Sequence, residues 1–113
     1  MTEREVIAEL ATEMWKLQRA LERVSRDLSP ERQGKTSAQL RYSDRQLGNL
    51  LEQAGLQLVT FENEEFSAEL PVTPVNAEDV DGQQTCFIDT MLEPAIVANG
   101  ATVRAGKVIL RGA

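Results

Sequence analysis

From Ile7 to Leu28 apolar side chains return at alternating steps of three and four: Ile7, Leu10, Met14, Leu17, Leu21, Val24 and Leu28. That is a heptad seam, with Ile7, Met14, Leu21 and Leu28 at one position and Leu10, Leu17 and Val24 at the other. The faces between are mostly Glu, Arg, Lys, Gln and Thr. A lone helix of this length is marginal in water, so the seam demands a partner. A second copy meets that demand, and so does a later helix of the same chain. An ordinary amphipathic helix packed on its own domain satisfies the same three heptads; the reading adopted is a dimer-forming helical hairpin. Thr2 followed by Glu5 predicts a capping box at the helix start. Trp15 falls beside Met14 and off the seam, where it covers the flank or stands as a binding anchor.

The first helix is expected to end near Leu28, because Ser29 precedes Pro30 and a residue before proline avoids the α region. Glu31 to Ser37 is polar, contains Gly34 and reads as the linker, although Pro30 also suits the first turn of another helix. A second helix is predicted over 37–54, with Leu40, Leu47, Leu50, Leu51 and Ala54 as its stripe and Gly55 as its left-handed stop. Two helices on a short link make an antiparallel hairpin, and two hairpins make a four-helix bundle.

After Gly55 the period becomes two. Strands are predicted over 56–62, 84–92 and 102–110, the last broken by Gly106. In the middle one, Thr85, Phe87 and Asp89 are expected on one face and Cys86, Ile88 and Thr90 on the other. Pro71 and Pro74 confine the stretch 66–75 to a sheet edge. Asn76 to Gly82 reads as an acidic loop, Pro94 ends a strand, and Asn99-Gly100 is a strong hairpin turn. Helices first and strands second give an α+β chain, with 1–55 a helical dimerisation region and 56–113 a small β domain.

Composition narrows function. With 113 residues and 4% aromatics, the core is aliphatic and small, which makes association a source of stability. Net charge is −6 and no basic run occurs, which disfavours nucleic acid as a partner. Histidine is absent and Cys86 stands alone, so a His triad or His metal site is excluded and a reducing cytoplasm suits the chain. No apolar leader and no apolar run long enough for a membrane span is read from the sequence. Glu62, Glu64 and Glu65, and then Glu78, Asp79 and Asp81, are acidic groups that fit an oxygen-ligand cation site or, with far more weight, solvated loops. Cys86 reads as a small buried hydrophobe, with no base nearby to activate it. No catalytic set, metal site or cofactor is expected, and the chain reads as a binding protein rather than an enzyme.

Two resemblances concern the C-terminal third. Gly100, Val103, Gly106 and Leu110 resemble the closing half of a biotinyl or lipoyl carrier, but Lys16, Lys35 and Lys107 lie outside the carrier tripeptides. The run from Glu93 to Leu110 resembles more fully the closing pattern of the GrpE family, roughly Q-x-G-Y-x-L-N-G-R-V-L-R-P-A-x-V-x-V. It aligns without a gap: Asn99 and Gly100 fall on the Asn-Gly, Arg104 on the second arginine, Val108 and Leu110 on the last apolar pair. Upstream, Leu50 to Leu56 is similar to that family's helix end, and Phe66 stands at the Phe of its Phe-Asp-Pro segment. GrpE proteins are dimeric nucleotide-exchange factors of DnaK-type chaperones, built from a paired helix, a four-helix bundle and a small β domain. The resemblance implies a homodimer, and the heptad assigns its contact to Ile7, Leu10, Met14, Leu17, Leu21, Val24 and Leu28. It implies contact with a chaperone ATPase domain through Glu93, Asn99, Gly100, Thr102 and Arg104. The chain departs from the pattern at Ala101, where the family has a chaperone-contacting arginine. It departs again at Ile96 in place of tyrosine, and at Phe66-Ser67-Ala68 in place of Phe-Asp-Pro. The alternative is a dimeric assembly protein that binds a different partner.

Overall fold

A computed structural model describes residues 1–113. The chain divides into two compact units, Met1–Gly55 and Leu56–Ala113. The first is helical and the second holds two small three-stranded sheets, an α+β arrangement.

Helix α1 spans Glu3–Ser25 and helix α2 spans Pro30–Gln53. Thr2 caps α1: its hydroxyl accepts from the Glu5 amide at 3.1 Å. The first helix stops three residues short of Leu28, in a turn closed by the Asp27 amide on the Val24 carbonyl and the Leu28 amide on the Ser25 carbonyl. The expected linker is helical. Ser29 is extended (φ −61°, ψ 154°), as a pre-proline residue must be, and Pro30 opens α2 at its first position. Gly34 is thereby carried into the helix. Gly55, at φ 74°, ends α2 as the sequence implies.

The helices run antiparallel. Gln18 Nε2 donates to Ser43 Oγ at 2.7 Å, Arg19 Nη2 donates to both Asp44 carboxylate oxygens at 2.8 and 2.9 Å, and Gln33 donates to the Arg26 carbonyl at 3.1 Å. Small and polar residues fill the buried face of α1: Ala8, Ala11, Thr12, Gln18 and Ser25, with Trp15 as its one large side chain. From α2 come Leu40 and Leu51. Thr12 and Ser25 turn their hydroxyls back onto the carbonyls of Ala8 and Glu22, which satisfies them without a cross-helix partner. The Arg19 guanidinium lies 5.5 Å from the Trp15 ring centroid.

In the β unit, β1 is Gln57–Val59, β2 Val72–Pro74, β3 Cys86–Glu93, β4 Ala95–Ala98, β5 Ala101–Arg104 and β6 Gly106–Gly112. One sheet has the order β1-β4-β5 and the other β2-β6-β3. The strand predicted over 56–62 shrinks to three residues. The acidic loop holds a single 3₁₀ turn, Ala77–Val80. β2 is an edge strand, parallel to β6, where its proline needs no ladder donor.

The expected alternation in β3 holds only to Ile88. Asp89 and Leu92 have no opposite residue on β6, because the register slips there twice. The slip at Asp89 is a bulge that moves the buried face from the even position of Ile88 to the odd positions that follow. Ile88, Met91 and Glu93 are therefore buried, while Asp89, Thr90 and Leu92 are exposed.

β3 passes into β4 at Pro94, and β5 passes into β6 at Ala105. These four strands form one ribbon that changes sheet half-way. Gly106 makes the change possible: a Cβ there would sit 2.8 Å from the Glu93 carbonyl oxygen and 3.0 Å from the Ala95 nitrogen. Ile88, Ile96 and Val108 are wholly buried at the centre of the unit.

Candidate partner-binding surfaces

The ribbon ends in the turn Asn99-Gly100. Both residues have positive φ, 52° and 81°, the type I′ geometry that matches strand twist. Asn99, Gly100, Ala101 and Thr102 are all exposed, and nothing stands within 4 Å of the Gly100 Cβ position. β5 is an edge strand, so the turn and one strand flank are open to a partner.

Glu93 and Arg104 behave differently from the other three residues expected here. Glu93 is 8% exposed, and Arg104 Nη1 lies 2.9 Å from its Oε1; Lys107 Nζ follows at 3.9 Å. They meet because Ile96 pairs with Arg104 across β4 and β5 while Glu93 pairs with Lys107 across β3 and β6. The pair thus braces the place where the ribbon changes sheet. The structure brings Asn99, Gly100 and Thr102 together at the tip and sets Glu93 and Arg104 behind them as support.

Charge is unevenly shared. Residues 1–55 carry nine Lys or Arg against nine Asp or Glu, and residues 56–113 carry three against nine, so the whole net charge of −6 belongs to the β unit. Two of its cations serve Glu93, and the third, Arg111, pairs with Asp89 at 3.5 Å and stacks on Phe87. Glu62, Glu64, Glu65, Glu69, Glu78, Asp79 and Asp81 are exposed, and no three of them converge as a set for holding a metal ion.

The second surface is the heptad seam. Within this chain α2 does not cover it. Leu10 is 66% exposed, Leu17 68% and Val24 60%, with Met14 and Leu21 also exposed and Ile7 and Leu28 half-buried. Val6 continues the seam by one position and was not singled out by the heptad. The packing face lies one step round the helix, where small residues admit α2 closely. The hairpin therefore buries small side chains with Trp15, Leu40 and Leu51 and leaves the apolar seam outside.

From sequence Gly106 reads only as a break in the last strand, and Asn76 only as the start of a loop. The Asn76 amide accepts from the Leu110 nitrogen at 2.8 Å and donates to the Leu110 carbonyl at 2.9 Å. It imitates a strand residue where β2 has ended. Cys86 is half-buried in β3, and Lys107 lies within β6. No helix is long and apolar enough to cross a membrane.

Compared with family models, curated proteins and solved structures, the chain gives no match in any of the three.

Proposed function

We propose that this protein is a GrpE-like cochaperone that binds the ATPase domain of a DnaK-type chaperone and promotes nucleotide release. The observation that carries the reading is where the resembling run falls. Glu93 to Leu110 forms the ribbon, with Asn99-Gly100 at its exposed tip and Val108 and Leu110 buried beneath. Asn99, Gly100 and Thr102 make the contact, and the Glu93–Arg104 pair holds the ribbon that presents them. The helical hairpin pairs two copies through the seam. No bond is made or broken by such a factor. It acts by binding the open ATPase cleft more tightly than the closed one, which shifts the chaperone toward release. The test is the release rate of a fluorescent nucleotide from the DnaK-type chaperones of the source organism. Acceleration supports the proposal; unchanged rates with every one of them remove it.

A second reading has its own support. Ala101 stands where the family carries a contacting arginine, and Arg104 is engaged with Glu93, so neither offers a cation at the tip. A dimeric assembly protein that presents its β units to another class of protein fits these facts. Binding to the ATPase domain that is indifferent to nucleotide, with no change in release rate, would favour it.

A further inference from the structure

We infer that Asn99 is a site of spontaneous covalent modification: its side-chain amide closes onto the Gly100 nitrogen and leaves aspartate or isoaspartate at the tip of the ribbon.

Ring closure has three requirements. The side-chain carbon must carry a leaving group, the next backbone nitrogen must be free, and no bulk may crowd the approach. The chain has four asparagines, and three of them fail. Asn49 lies inside α2, where the Leu50 amide belongs to the helix ladder. Asn63 is followed by Glu64, whose amide donates to the Phe61 carbonyl at 3.1 Å. Asn76 is held by both main-chain groups of Leu110, and its Nδ2 also donates to Asp79 at 3.1 Å. Asn99 has none of these restraints. It is exposed and its side chain makes no hydrogen bond. The Gly100 amide donates to no backbone carbonyl, and nothing stands within 4 Å of its Cβ position. Glycine also lets the two groups meet with the least crowding. Asp81-Gly82 has the same glycine, but a carboxylate is a far poorer acyl carbon than an amide.

The type I′ turn fixes the dihedral that must rotate to bring the Gly100 nitrogen over the Asn99 side-chain carbon. Closure therefore waits for the tip to open. β4 and β5 are four residues each, their register slips between Ile96 and Val97, and one flank of β5 has no neighbour. Local opening at such a place costs far less than unfolding the unit.

In the open tip the Gly100 nitrogen bonds to Asn99 Cγ and gives up its proton. The Cγ–Nδ2 bond breaks, and Nδ2 takes that proton and departs as ammonia, leaving a five-membered imide. Water then opens the ring. Attack at Cγ breaks the new bond and gives aspartate in an unchanged backbone. Attack at the Asn99 main-chain carbonyl breaks the old peptide bond and gives isoaspartate, with the chain routed through the side chain. Aspartate brings a carboxylate to a tip that carries no charge, since residues 98–102 are Ala-Asn-Gly-Ala-Thr. Isoaspartate adds a carbon to the main chain, so a two-residue turn no longer closes in register. A loss of partner binding as the protein ages rests on the cochaperone reading; the conversion itself does not.

The test uses the full chain, kept in neutral buffer made with oxygen-labelled water, then digested and sequenced by fragment mass. Residue 99 should change from amide to carboxyl while Asn49, Asn63 and Asn76 keep their amides. Each converted copy should carry labelled oxygen from the ring opening. An isoaspartyl methyltransferase should accept the aged chain and reject Asn99→Gly, which suits the positive φ and has no amide to lose. The native rate is expected within about a hundredfold of the rate in urea, because loop tips open at little cost. A slower native rate means that the turn protects Asn99, and overturns the inference. Conversion of another asparagine at the same pace overturns it too. Residue 99 is read without any chaperone, so this result stands or falls apart from the proposed function.

Discussion

At the scale of single residues, the ion pair behind the turn is the most consequential contact in the β unit. Arg104→Met leaves the Glu93 carboxylate buried without its closest cation, and is expected to destabilise the β unit by about 3 kcal/mol. Glu93→Gln combined with Arg104→Met should recover most of that loss, because the uncompensated charge is gone. Urea unfolding followed by backbone amide NMR of residues 86–110 separates the two cases. Glycines give a paired test with opposite signs. At Gly48, in the interior of α2, nothing lies within 4 Å of a Cβ, so Gly48→Ala should stabilise the helical unit by about 1 kcal/mol. At Gly106 the added methyl meets the backbone of 93–95, and Gly106→Ala should lower the β-unit midpoint sharply. Thr2 and Asn99-Gly100 could be read directly, because a cap and a type I′ turn are local chemistry. Glu93 with Arg104 could not, because eleven residues and a change of sheet separate them, and only strand register brings them together.

At the scale of elements, the heptad fixed the first helix and left open what covers its seam. The Ala8, Ala11 and Thr12 face lacks the bulk that periodicity counts, yet small size is what lets α2 approach on that side. Ser29-Pro30 misled in the other direction. The same extended residue that ends one helix caps the next, and the segment 31–37 follows Pro30 into α2. The β3 bulges were equally invisible, since a strict alternation in sequence carries no mark of an extra residue in the ladder. The exposed seam yields a direct prediction. Leu10→Gln with Leu17→Gln removes the two most exposed leucines of the seam, and the light-scattering mass should fall from that of the proposed dimer to that of a monomer. The NMR spectrum of residues 56–113 should stay unchanged.

At the scale of the whole molecule, two units share the chain but not their sources of stability. The β unit has its own core in Ile88, Ile96 and Val108. The hairpin leaves the leucines of its seam outside, so the proposed pairing of two copies would add to its stability. Trp15 is the only tryptophan and lies in the hairpin, which makes its fluorescence a reporter of that unit alone. On heating, the Trp15 transition should move upward by several degrees for each tenfold rise in protein concentration, whereas the β-unit amides should melt at one temperature throughout. The division into a helical and a strand-rich half was legible from the change of period at Gly55. The confinement of the net negative charge to one half was countable from sequence only once that boundary had been drawn.

Asn76 has a bearing on how the protein behaves when crowded. An unfinished strand edge is a template on which a neighbouring chain can lay its own backbone, layer after layer. By clasping Leu110 with a side chain, the β2–β6 edge ends in a group that has no onward N–H and C=O to offer. Asn76→Val would remove the clasp and add a β-branched residue beside Val75, already exposed. That variant should form thioflavin-positive fibrils at concentrations where the parent solution stays clear, so the same amide that finishes a sheet also keeps it from being copied.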